Sequence, residues 1–285
     1  MAKLLSGKQV VAAMADALLP RIEALSAAGR VPTLALVRVG ARPDDVSYER
    51  TAVKRAEALG MGTVLVELAA DATQDQLEAV IDQVNADDSV QGCLLFRPLP
   101  AGIDERAVCN RLLPAKDIDG ISQTSLAGVF TDSDEGFPPC TAAACLRLLD
   151  FYQIPVQGKR AVVVGRSLVI GKPVAMMLLR RNASVTLCHS RSENLAEITR
   201  AADIVICATG RARAFGAAYF TAGQTVLDVG INFDAEGVFC GDVDFAAVEP
   251  IVGAITPVPG GLGSVTTSTT MEQTVCAAQG LGALQ

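Results

Sequence analysis

Two glycines with an arginine and a serine between them give this chain its clearest chemical signal: Gly165-Arg166-Ser167-Leu168-Val169-Ile170-Gly171. Backbone N–H groups at a helix N-terminus bind anions such as a pyrophosphate, and glycine lets the ligand approach closely. Ser167 adds a hydroxyl donor and Arg166 a fixed positive charge. Downstream, Ser190, Arg191 and Ser192 occupy the stretch where NAD-preferring sites carry an acid for the ribose 2′-hydroxyl. Those donors suit a 2′-phosphate, so NADP is expected over NAD. Gly-x-Gly-x-x-Gly itself is absent, and the same spacing also fits an ordinary tight connection. His189, the single histidine, fits a packed or turn-bonding residue better than a catalyst.

Three further places carry candidate chemistry. Tyr48 lies near the start of a helical stretch with Lys54 and Arg55 further on, and could stack on or bond a flat substrate. The alternative is a surface helix with a solvated basic face. Asp119, in Pro114-Ala115-Lys116-Asp117-Ile118-Asp119-Gly120, could accept hydrogen bonds from the donor edge of a heterocycle such as a pterin, although such a charged run also suits a solvated turn. Thr256-Pro257-Val258-Pro259-Gly260-Gly261-Leu262-Gly263 is a stiff, then permissive, crossing.

The elements that must position these residues follow from periodicity. Residues 160–191 read strand, glycine turn, helix, strand, which is half of a dinucleotide-binding βαβ unit. Before it, an amphipathic helix is expected over 6–25 despite Pro20, opened by the box Ser6-x-x-Gln9. Then come a buried strand over 33–39, the Tyr48 helix ending at Gly60, a strand over 63–68, a helix from the Thr73-x-x-Gln76 box to Asn85, and a strand over 92–96. Strands alternating with helices imply parallel pairing. A helix capped by Thr141 runs to about Phe151, strands follow over 202–210 and 225–232, and a last helix spans about 265–280.

Composition bounds the class. A length of 285 residues allows two domains, and 50% apolar residues with a mean hydropathy of +0.36 describe a core-rich globular chain. No apolar run approaches the ~20 residues of a membrane helix. The N-terminus lacks a signal-peptide layout, so a cytoplasmic protein is expected. Eight cysteines without a Cys-x-x-Cys pair, beside one histidine, give no zinc set and suggest free core thiols. The net charge of −7 argues against nucleic acid or an anionic membrane as partner.

Taken in order, the Tyr48 helix, PAKDIDG, PPCT, VVGRSLVIGKPVA, CHSR, ADIVICATG, VLDVGIN, GDVDF and TPVPGGLG resemble the bifunctional methylenetetrahydrofolate dehydrogenase/cyclohydrolase (FolD) family over nearly the whole chain. The resemblance implies an α/β protein of two domains joined by two long helices, with a cleft between the domains. An αβα folate-binding catalytic domain would span 1–140, completed by a C-terminal helix over 265–285, and a Rossmann-like NADP-binding domain would span 141–264. It implies a homodimer, NADP as cofactor and tetrahydrofolate derivatives as substrates: 5,10-methylenetetrahydrofolate oxidised to the methenyl form, then hydrolysed to 10-formyltetrahydrofolate. By matching position, Gly165, Arg166, Ser167, Ser190 and Ile231 would contact NADP. Tyr48 and Asp119 would hold the folate and serve catalysis, with Gly260 and Gly261 nearby.

Departures from the family pattern concentrate in the folate half. The family's catalytic lysine, four residues after the tyrosine, is Ala52 here, and its glutamine partner is Phe96. The nearest lysine, Lys54, is rotated by about 200° along a helix from the usual position. Ser264-Val265-Thr266 replaces Pro-Met-Thr, and Ser125 replaces Asn. Hydride removal leaves a cation stabilised by two flanking nitrogens and needs no general base, whereas hydrolysis must move protons. The expectation is an NADP-dependent dehydrogenase whose hydrolytic activity is weak or served by a rearranged group such as Lys54. An NADP oxidoreductase for another substrate, or a non-catalytic NADP- or folate-binding protein, are the alternatives.

Overall fold

A computed structural model describes residues 1–282, and the chain divides into two compact units: Met1–Ala12 with Thr141–Thr266, and Ala13–Cys140 with Thr267–Gln285. In chain order the elements are β1 (Lys3–Leu4), α1 (Gly7–Ala27), β2 (Thr33–Val39), α2 (Pro43–Ala58), β3 (Gly62–Leu68), α3 (Gln74–Ala86), β4 (Gly92–Leu95), α4 (Glu105–Arg111), α5 (Gln123–Thr131) and α6 (Cys140–Phe151). There follow β5 (Arg160–Val164), α7 (Gly171–Arg180), β6 (Ser184–Cys188), α8 (Leu195–Arg200), β7 (Ile204–Cys207), β8 (Thr225–Asp228), β9 (Asn232–Phe233), β10 (Phe239–Cys240), α9 (Phe245–Val248), β11 (Ala254–Ile255) and α10 (Leu262–Ala278).

In the unit holding residues 13–140, β3, β2 and β4 form a parallel sheet with β2 central. Side chains of a strand alternate between faces, and β2 buries both. Leu34 and Leu36 pack with Leu18 and Ile22 of α1, Ala52 and Ala56 of α2, and Met271 and Val275 of α10. Ala35, Val37 and Val39 pack with Leu77, Ile81 and Val84 of α3 and with Val108 and Cys109 of α4. The result is a three-layer αβα unit. The box at Thr73 is present, with both reciprocal bonds to Gln76.

The other unit carries the parallel sheet β6-β5-β7-β8-β11-β1. The 2-1-3-4-5 order of its first five strands puts the topological switch point between β5 and β7, where open α/β sheets bind ligands beyond their carboxyl ends. Here the structure departs from the expected 1–140 grouping, because residues 1–12 pack with this sheet. Lys3 and Leu4 extend it at the edge beside Ala254 and Ile255, and the Gly7 N–H donates to the Gly260 carbonyl at 2.8 Å. Three further expectations shift. The helix expected to be capped by Thr141 begins at Cys140, so Thr141 lies inside it. The last helix begins at Leu262, and residues 283–285 of its expected span lie outside the described residues. The strands expected over 202–210 and 225–232 shorten to β7 and β8. All eight cysteines are buried and free, and among the described residues no helix is long and apolar enough to cross a membrane.

Candidate active site

The glycine turn lies beyond the end of β5, at the switch point. Gly165 has φ +130°, and a Cβ there would overlap the Ala208 carbonyl; one at Gly171 would overlap the Gly165 carbonyl. Both positions therefore require glycine on steric grounds. Ser167 Oγ accepts the Ile170 N–H at 3.1 Å and so shapes the entry to α7. A cavity of about 660 Å³ opens here, lined among others by Gly165, Arg166, Ser167, Ser190, Thr209 and Arg211. Four of the expected cofactor residues thus meet in one cavity. Its lining also includes residues of the 209–211 turn, which buried Asp242 holds by accepting the N–H groups of Thr209, Gly210 and Arg211. His189 Nδ1 accepts the Arg191 N–H at 3.2 Å, the turn-bonding role. Size, donors and glycine-limited backbone fit a dinucleotide with an extra phosphate.

Ile231, the fifth expected cofactor residue, lines a different cavity of about 210 Å³, together with Gly260, Gly261, Asp228 and Pro257. Asp228 accepts N–H bonds from Gly230, Asp242 and Val243. Burial nevertheless pushes its carboxyl up to about 6.

In the αβα unit Tyr48 and Asp119 come together and Lys54 does not. Tyr48 packs on the core edge, its ring 6.0 Å from Phe96 in an edge-to-face pair. Ala52, one turn further on the same face of α2, is fully buried, whereas Lys54 is exposed. Two residues along α2, Lys54 does not share the buried face of Ala52, and its side chain is exposed. Burial pushes the Tyr48 phenol up to about 12, with the nearby Cys140 and Asp119 adding to the rise, so it is neutral at ordinary pH. Asp119 accepts the Cys140 N–H at 3.3 Å and faces the Arg97 guanidinium at 4.0 Å. Burial raises its carboxyl and Arg97 opposes that rise. Ser125, the other departure in this half, donates to buried Asp117 at 2.6 Å, a bond that supports the loop carrying Asp119.

Comparison with known proteins matches two segments, separated by residues 120–138. Residues 5–119 match the catalytic domain of tetrahydrofolate dehydrogenase/cyclohydrolase, and residues 139–281 match its NAD(P)-binding domain. The bifunctional protein FolD of Carboxydothermus hydrogenoformans is 48% identical over 100% of both chains. This chain belongs to the tetrahydrofolate dehydrogenase/cyclohydrolase family. Among solved structures, the Campylobacter jejuni FolD enzyme superposes with a TM-score of 0.96 at 35% identity, covering 98% of this chain and 99% of that one. The Trypanosoma brucei enzyme, solved with NADP cofactor and inhibitor, gives 0.92 at 32% identity over 98% and 97%. Ala52 and Phe96, where the resemblance leads one to expect a lysine and a glutamine, are both apolar and buried. Sequence reasoning did not single out Arg97, Arg211 or the buried hydroxyls of α10. The consecutive Thr266-Thr267-Ser268-Thr269-Thr270 was the available signal.

Proposed function

We propose that this chain oxidises 5,10-methylenetetrahydrofolate to 5,10-methenyltetrahydrofolate with NADP, and does not assist the hydrolysis that follows in bifunctional relatives. Gly165, Arg166, Ser167 and Ser190 hold the dinucleotide phosphates, and bound NADP supplies the hydride acceptor. Tyr48 lies against the pterin and Asp119 accepts from its N–H edge. The hydride leaves the methylene carbon as the flanking nitrogens take up the positive charge, so positioning by Tyr48 and Asp119 is the protein's main task. Hydrolysis asks more: water must lose a proton as it attacks, and a nitrogen must gain one as it leaves. Neither Ala52 nor Phe96 can do either. The observation that carries this reading is their shared burial beside Tyr48, with Lys54 turned to solvent.

The test is to restore the missing pair. Ala52→Lys with Phe96→Gln should speed the enzyme-dependent disappearance of methenyltetrahydrofolate by at least about tenfold, below the full 10²–10⁴ of a tuned acid–base group. NADPH formation should stay within the same order of magnitude. A double variant no faster than the parent, or a parent that already hydrolyses well above the buffer rate, contradicts the reading.

A further inference from the structure

α10 is an unusual helix to bury. Thr267, Ser268, Thr269, Thr270, Gln273 and Thr274 are all less than a tenth exposed. Buried hydroxyl and amide groups are costly unless bonded. Some are satisfied locally, as Thr274 Oγ1 is by the Thr270 carbonyl at 2.9 Å. Others reach across the unit. Ser268 Oγ accepts from Arg55 of α2 at 2.9 Å, and the side chains of Thr267 and Thr270, three residues apart on one face, hydrogen-bond the Tyr48 hydroxyl.

Thr270 also hydrogen-bonds the Cys140 side chain. Gln273, one turn on, donates to Cys140 Sγ at 3.1 Å and to the carbonyls of Ile118 and Pro138. Cys140 in turn donates its backbone N–H to Asp119. A continuous polar chain therefore runs Tyr48, Thr270, Cys140, Asp119, with Gln273 bracing its middle. Both ends are the residues assigned to the folate. Ala52 and Phe96 offer the phenol nothing polar, so α10 supplies what α2 and β4 do not.

We propose that Thr270, assisted by Thr267, is a positioning residue of the folate site. It fixes the Tyr48 phenol and couples it to the Asp119 loop, in place of the lysine and glutamine. The proposal rests on the reading above that Tyr48 and Asp119 hold the pterin. It separates this chain from a site that has merely lost two polar groups, because the tyrosine's hydroxyl is held from another helix, α10.

Steady-state NADPH formation on the full-length protein tests this, with Thr270→Val, Thr270→Ser, Tyr48→Phe and the Tyr48→Phe/Thr270→Val pair. Loss of one hydrogen bond predicts a KM for methylenetetrahydrofolate raised about five- to tenfold by Thr270→Val, with the KM for NADP changed by less than about twofold. Thr270→Ser, which keeps the hydroxyl, should restore the KM to within about twofold. In the Tyr48→Phe background Thr270→Val should add less than about twofold, because the partner hydroxyl is already gone. A silent Thr270→Val, a Thr270→Ser as impaired as Thr270→Val, or a full effect persisting without the Tyr48 hydroxyl overturns the proposal. If the parent turns over and Thr270→Val is silent, only this inference falls; if the parent forms no NADPH from methylenetetrahydrofolate, the functional reading falls and takes the inference with it.

Discussion

Asp119 shows how one side chain's ionisation is set by its neighbours. Burial raises its carboxyl and the Arg97 guanidinium, 4.0 Å away, pulls it back down. Only the ionised form accepts from two pterin donors without presenting a proton of its own. Folate affinity should therefore weaken as pH falls through the Asp119 pKa. Removing Arg97 takes away the largest influence opposing burial, leaving the Cys140 hydrogen bonds, and moves that loss to higher pH. Arg97→Leu is expected to shift the acid limb of kcat/KM for methylenetetrahydrofolate to higher pH. An acid limb at the same pH would mean that Arg97 does not govern Asp119. At this scale the sequence was informative about Ala52 and Lys54, since helical rotation alone separates them. It was silent on Arg97, whose role depends on a neighbour 22 residues away.

At the level of elements, the start of α7 is where backbone geometry leaves least freedom. A Cβ at Gly171 would overlap the carbonyl of Gly165 and crowd the Arg166 N–H, both backbone groups that cannot swing aside. Gly171→Ala must push α7 away from the phosphate turn, at a cost of about 1–3 kcal/mol for overpacking. The protein is expected to fold with a lowered melting temperature and a KM for NADP raised about 5- to 150-fold, one decade per 1.4 kcal/mol. An unchanged KM for NADP would show that the turn does not bind phosphate. The long elements with one clear period, such as β2, α3 and the β5–α7–β6 run, were legible because a single buried stripe or alternation decides them. Helices α4 and α5, seven and nine residues long, were not identified. Their caps Asp104 and Ser122 are good signals, but so few turns display no convincing stripe. The polar face of α10 defied the pattern for the opposite reason: its hydroxyls are buried by tertiary partners that periodicity does not reveal.

For the whole molecule, the division into an αβα unit and a parallel-sheet unit follows from hydrophobic clusters that pack on separate sheets, on both faces of β2 in one and around β5, β7 and β8 in the other. The two-residue strand β1 joins the second sheet beside partners 251 positions away in the chain, a pairing too short to announce itself and visible only once β11 exists. The division of labour suggested by the sequence, a nucleotide half close to the family pattern and a folate half that departs from it, has a physical form here. The glycine turn between Gly165 and Gly171 keeps its steric demands, while Ala52 and Phe96 join the apolar core. The central claim is oxidation without assisted hydrolysis. Its most direct test follows NADPH and methenyltetrahydrofolate together in one reaction of the purified protein with methylenetetrahydrofolate and NADP, beside an enzyme-free control for methenyl decay. The prediction is that NADPH and methenyl product rise together and that the methenyl product then decays only at the control rate. NADPH accumulating while the methenyl product disappears faster than the control would contradict it.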